Sequence, residues 1–149
     1  MFKFVFSVIA GCCLLGCSVH APIVKYNASN VTSSTPEAIA IELEFEIANT
    51  NNEPIKLIEY QYDVYALGQH IYSGKQMALQ SIPRWSTMQG TIPVVIRRED
   101  LHGQNVLDWN LSGSLRYIEQ GVFAQTLMNS GLWDPSVTIH ASGVFEIPQ

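Results

Sequence analysis

Three glutamates recur at every second position, Glu42, Glu44 and Glu46. On an extended strand, alternate residues lie about 6.6–6.8 Å apart on one face. Two carboxyls at such a spacing could serve an inverting glycoside hydrolysis, and three could gather a calcium ion. No Asp-x-Asp-x-Asp-Gly loop accompanies them, so the plainer expectation is a solvated outer sheet face whose charge opposes edge-to-edge aggregation. The four histidines, His20, His70, His102 and His140, stand singly with no zinc-ligand spacing. His140 could be combined with Asp108 or Asp134 and a serine as a hydrolytic triad, but no Gly-x-Ser-x-Gly elbow is present to present the serine. Neither a phosphate-binding loop nor a Gly-x-Gly-x-x-Gly turn occurs. The expectation is a chain with no catalytic residues, no metal site and no cofactor.

The cysteines carry a different chemistry. All three, Cys12, Cys13 and Cys17, fall near the N-terminus, after an uncharged and mostly apolar run from Phe4. Such a run has the length of a signal-peptide core and is too short for a permanent bilayer span of about 20 residues. It ends in Leu14-Leu15-Gly16-Cys17, which resembles the bacterial lipobox. There, cleavage follows the small residue, here Gly16, and the thiol, here Cys17, takes a thioether-linked diacylglycerol. Ile9-Ala10-Gly11-Cys12 fits the pattern more loosely, after a shorter apolar run. The chain turns polar directly after Cys17, and Ser18 in the following position would direct a Gram-negative lipoprotein to the outer membrane. Each buried acyl CH₂ contributes about 0.8 kcal/mol, so two or three chains would anchor the protein durably. No thiol would remain for a disulfide.

Composition bounds the rest. The chain has 149 residues, 47% hydrophobic and 14% charged, with a net charge of −5, enough for one domain. Its 8 basic residues are scattered, with no stripe for nucleic acid. The expected organisation is a signal peptide over 1–16, a lipidated tether over 17–21 and one domain over 22–149.

Hydrophobic alternation predicts the elements. Pro22–Tyr26 reads as a first edge strand and Asn27–Thr35 as a loop of side chains that bond their own backbone. From Ala38 the period is two, with Ile39, Ile41, Leu43, Phe45 and Ile47 on one face and the glutamates on the other. After Asn49–Pro54 alternation resumes, with Ile58, Tyr60, Tyr62, Val64 and Ala66 sharing a face. Leu67–His70 reads as a tight turn around Gly68, and His70–Gln80 as a shorter edge strand interrupted by Gly74. Met88, Gly90, Ile92, Val94 and Ile96 form another face, with Pro93 marking an edge. Arg97–Leu107 holds the only plausible helical turn. Asp108–Glu119, with Trp109, Leu111, Gly113, Leu115 and Tyr117 on one face, and Val137–Ile147 complete about seven strands, with Val122–Pro135 expected to be irregular. Successive one-sided strands imply an all-β, antiparallel sandwich of immunoglobulin or fibronectin type III kind. Of the aromatic residues, Trp109, Trp133, Tyr60, Tyr62 and Tyr72 are expected mostly in the core or at its edges, and Tyr65 and Trp85 at the surface.

The middle of the chain resembles the group-2 late embryogenesis abundant (LEA type 2) proteins and their water stress and hypersensitive response (WHy) domain. The pattern falls on Asn49-Thr50-Asn51, Pro54-Ile55 with Leu57, Tyr62 and Tyr65, Gly68, Ile71 with Gly74, and Ile82-Pro83 with Ser86. It spans about Ile39 to Ile96 and is looser beyond, where Leu115-x-Tyr117 and Ser130-Gly131 echo it. Thr50 departs from it, standing where the family usually carries proline. The resemblance implies an ordered fibronectin-like sandwich, a role in tolerance of desiccation or osmotic stress, and no catalytic residues. With the lipobox, the expected setting is the bacterial envelope, most simply the periplasmic face of the outer membrane. The membrane would be reached through the N-terminal lipid, with envelope proteins or lipids as further partners. The alternative is a fibronectin-like binding module that presents aromatic or edge-strand surface to an envelope protein, peptide or glycan.

Overall fold

A computed structural model describes residues 20–104 and 106–147. Within them, seven strands form two antiparallel sheets packed face to face, the architecture the alternation predicts. They are β1 (Ile23–Ser34), β2 (Ala38–Asn49), β3 (Ile55–Ala66), β4 (Gln69–Ile82), β5 (Ser86–Arg97), β6 (Val106–Glu119) and β7 (Ser136–Glu146). One sheet has the order β1-β2-β5 and the other β4-β3-β6-β7. The fourth strand therefore sits beside the third, not in the sheet of the first two as in immunoglobulin constant domains.

Strand β2 shows why the sandwich closes. Ile39, Ile41, Leu43, Phe45 and Ile47 are all buried against the facing sheet, where Val64, Trp109, Leu111, Leu115 and Ile139 lie. Burying each large side chain contributes about 1.5–3 kcal/mol, so this strand alone supplies a large share of the driving force. Pro93 falls on β5, an edge strand, where its missing N–H leaves no ladder bond unmade.

Four expectations are corrected. Asn27–Ser34 is not a loop but the continuation of β1, which pairs with β2 through two register shifts. Its polar side chains bond across the ladder, Asn30 Nδ2 donating to Glu44 Oε1 at 2.6 Å and Thr32 Oγ1 to the Ala40 carbonyl at 3.3 Å. Pairing the free edge of β2 satisfies more backbone than local side-chain turns could. In β3 the inward face does not run through Ile58. A bulge between Leu57 and Glu59 interrupts the ladders to both neighbours, so Ile55 and Leu57 are buried before it and Tyr60 onward after it. Strand β4 does lie at an edge, but it extends to Ile82 and is among the longest strands. Val122–Pro135, expected to be irregular, contains an α-helix, α1 (Val122–Asn129). The helical turn expected after Arg97 is a 3-10 helix, Arg98–Leu101.

The register sets two ends. One gathers residue 20 and the start of β1, the β2–β3 and β4–β5 connections, and the β6–β7 connection that contains α1. The other gathers the β1–β2, β3–β4 and β5–β6 connections. The β3–β4 turn is a two-residue hairpin with Leu67 and Gly68 both at positive φ, 50° and 77°.

Candidate functional site

The Asn49–Pro54 turn is the most elaborate polar feature. Asn49 is 1% exposed. Its Nδ2 donates to the carbonyls of Glu53 (2.9 Å), Ile82 (3.2 Å) and Pro83 (3.1 Å). Its Oδ1 accepts from the Asn51 backbone N–H at 3.0 Å and from Asn51 Nδ2 at 2.9 Å. Asn51 in turn grips the chain where it enters the domain: Nδ2 donates to the His20 carbonyl, and the His20 N–H donates to Oδ1, both at 2.8 Å. Pro54 offers its carbonyl to the Gln120 N–H at 3.3 Å. The knot thus ties the β2–β3 turn to the β4–β5 turn, to the end of β6 and to residue 20. A buried amide whose donors and acceptor are all used is a structural fastener.

Gly74 has an equally physical reason. It lies opposite Tyr62, which on its other side faces Gly113. A Cβ on Gly74 would fall 2.1 Å from Tyr62 Cζ, and one on Gly113 2.8 Å from Tyr62 Cβ. The two glycines clear a slot through which Tyr62 crosses to the other sheet and donates to the Pro93 carbonyl at 2.6 Å. The positions of the sequence pattern at Asn49, Asn51, Gly74 and Pro83 therefore all serve the frame.

The candidates for chemistry do not converge. Glu42, Glu44 and Glu46 line the outer face of β2, next to Asn30, Pro93, Thr91, Lys25 and Gln89. Since β2 is the middle strand, these charges do not guard an edge, contrary to expectation. The triad imagined around His140 is not assembled. His140 is exposed on β7 opposite Ser112, Asp108 lies toward the far end of β6, and Asp134 pairs with Arg116 Nε at 2.7 Å. His20 and His102 lie at opposite ends of the sandwich. Among the described residues, no group of three or more His, Cys, Asp or Glu could hold a metal ion.

Sequence reasoning missed one juxtaposition. On the β3–β4 hairpin His70 Nε2 lies 2.8 Å from Ser73 Oγ and 3.3 Å from Asp63 Oδ1, while Ser73 Oγ donates to Asp63 Oδ1 at 2.6 Å. The Ser73 hydroxyl and then the His70 ring hold the Asp63 carboxyl below its usual range. A relay needs the serine proton aimed at one imidazole nitrogen and the carboxylate on the other. Here the serine proton goes to the carboxylate, and both partners share Nε2. The trio is an exposed clamp between strands. A second cluster sits on the outer face of the same sheet: buried Glu59 receives Lys75 Nζ at 3.2 Å and Arg116 Nη1 at 3.8 Å.

Of the aromatic residues, Tyr60, Tyr62 and Trp109 are buried, while Tyr65, Tyr72 and Trp133 are half-buried. Trp85 stands out, at positive φ with its Nε1 donating to Asn52 Oδ1 at 3.1 Å. A shallow depression between β1 and the outer face of β6 and β7 is lined by Tyr26, Asn110, Ser112, His140 and Ser142. Tyr26 and His140 are the titratable side chains in its lining. Gly16 and Cys17, the expected cleavage and lipidation positions, lie outside the described residues.

No protein-family model matches the chain, and no curated protein sequence matches it. Solved structures do share its fold. The solution structure of AT1g01470 from Arabidopsis thaliana aligns with a TM-score of 0.63 at 14% identity, covering 91% of this chain and 90% of that one. At2g46140.1, assigned to the late embryogenesis abundant (LEA) class, gives 0.66 at 13% identity over 86% of this chain and 72% of that one. A protein from Archaeoglobus fulgidus gives 0.54 at 10% identity, covering 89% and 99%. At these identities the shared property is the fold alone, a two-sheet antiparallel β-sandwich.

Proposed function

We propose that this chain is a non-catalytic bacterial envelope lipoprotein, anchored through Cys17, whose LEA type 2/WHy-like domain protects neighbouring envelope components during desiccation or osmotic stress. The observation that carries the reading is the LEA-like sandwich in which Asn49 and Asn51, the asparagines of the sequence pattern, form its buried fastener. The domain acts by its surface. The outer face of β1, β2 and β5 offers carboxylates and amides that stay hydrated, over a core that holds without disulfides.

A strain lacking the protein is expected to lose viability on drying and on osmotic upshift, and the wild-type gene to restore it. Cys17→Ser is expected to abolish acyl labelling with an alkyne palmitate, while Cys12→Ser leaves it intact. Survival equal to the parent strain would sink the protective role. The contending reading, a module that binds an envelope protein, peptide or glycan, has exposed Trp85 in its favour. Recovery of one stoichiometric partner from envelope extracts, lost in Trp85→Ala, would favour it.

A further inference from the structure

The apolar residues left in solvent are not evenly spread. Among the described residues, the four most exposed large hydrophobic side chains are Val122 (88%), Leu132 (77%), Phe123 (76%) and Trp85 (66%), with Leu79 on β4 and Val144 on β7 next at 65%. All four lie in the connections at one end of the sandwich: Trp85 between β4 and β5, the others in and after α1 between β6 and β7. The Asn51–His20 clasp fixes this as the end at which the chain enters the domain. Cys17 precedes His20 by three residues. A fully extended chain covers at most about 3.6 Å per residue, so the Cys17 sulfur-bearing residue lies within about 11 Å of that clasp. Strands of this length carry the opposite end roughly 40 Å away.

We propose that the end of the sandwich bearing Trp85, Val122, Phe123 and Leu132 is a membrane-docking surface, seated in the headgroup region of the bilayer that holds the Cys17 lipid. This rests on the lipidation reading above. The chemistry suits a bilayer interface. Trp85 has an apolar ring and an N–H already bonded to Asn52, the combination that favours aromatic residues at headgroup level. Helix α1 buries only Ala124 and leaves Val122 and Phe123 outward, apolar side chains that a bilayer interface would cover. Charges around this end have both signs, Lys56 and Arg84 against Glu53 and Glu119, so the attraction is apolar and does not need anionic lipid. Docking restricts the anchored domain to one orientation and presents the β3–β4 hairpin end to the surroundings.

The test uses the full chain, processed in cells, purified from membranes and reconstituted in phosphatidylcholine vesicles. Cys17 being acylated, a single introduced thiol at Phe123→Cys or Gln104→Cys can carry a polarity-sensitive fluorophore. The label at 123 is expected to be quenched several-fold more by doxyl-labelled lipid than the label at 104, on the far end. In the protein without added thiols, quenching of tryptophan fluorescence by brominated lipid is expected to fall in Trp85→Phe. Equal quenching at 123 and 104, with acylation of Cys17 verified by mass, overturns docking and leaves the lipoprotein reading intact. Absence of an acyl group on Cys17 overturns both. Quenching that appears only with phosphatidylglycerol, or cross-linking of 123 to a second copy without quenching, also overturns the proposal.

Discussion

Asn49 shows how much of this fold rests on one side chain. It ends β2, yet its amide hydrogens bridge to carbonyls from residues 53, 82 and 83, so three chain segments share one small group. Leaving buried carbonyls without a donor costs about 1–3 kcal/mol each, partly recovered where water can reach them. Asn49→Ala is therefore expected to destabilise by about 3 kcal/mol in urea unfolding. Asn49→Asp should be at least as damaging, since a carboxylate would face three carbonyl oxygens out of reach of water. Asn52→Ala, which removes only the exposed bond to Trp85, should stay within about 0.5 kcal/mol of wild type. A loss below about 1 kcal/mol at Asn49 would show that the turn holds without its amide.

Helix α1 is sparsely capped. Its N-cap is Gly121, with no side-chain cap bond, no acidic residue in the first turn and no basic residue in the last. Gly121 has φ 168°, extended backbone open to any residue, and a Cβ there would meet nothing within 4 Å. Gly121→Ser should add a cap and reduce unfolded-state freedom, stabilising by about 0.5–1 kcal/mol. No gain in the urea midpoint would place residues 121–122 outside helical geometry. The helix was hard to read because it has no amphipathic stripe: only Ala124 is buried, and Val122, Phe123 and Thr126 favour strands. One signal was available. Gly131, at φ 71°, is the C′ residue of a Schellman motif, with Gly131 N–H donating to the Met128 carbonyl and Leu132 N–H to the Leu127 carbonyl, each at 3.0 Å. Strands β2, β5, β6 and β7 were legible because alternation records which face is buried. The bulge at Ile58 was not, because Leu57 and Ile58 are both apolar and only pairing with Met77 and Arg116 reveals the slip. For the candidate site, the sequence marked Asn49 and Asn51 as a turn of a known pattern. Their partners at Ile82, Pro83 and His20 lie more than 30 residues away and follow from tertiary packing.

At the scale of the molecule, tyrosines join the two sheets. Tyr62 crosses to Pro93, Tyr60 reaches Gly90, and Tyr26 meets both Phe45 and Trp109 edge-on at 5.8 and 5.6 Å. Burial pushes the Tyr60 hydroxyl up to about 12 and raises Tyr62 and Tyr117 as well, with the charges of Tyr72 and Glu119 adding to these two respectively. In the unfolded chain the same hydroxyls ionise near their ordinary value of about 10. Between these values the folded state keeps protons that the unfolded state has lost, so stability is complete below about pH 10 and falls as pH rises toward 12. Urea midpoints should be flat from pH 7 to 9 and drop steeply above 10. The Tyr60 hydroxyl has no hydrogen-bond partner among the described residues, so Tyr60→Phe removes an unsatisfied buried group and should be neutral or stabilising by up to about 1 kcal/mol at pH 7. It should also make the alkaline fall shallower, because one of the retained protons is gone. Parallel alkaline limbs for wild type and Tyr60→Phe would mean that ionisation of Tyr60 does not oppose the packing of the two sheets.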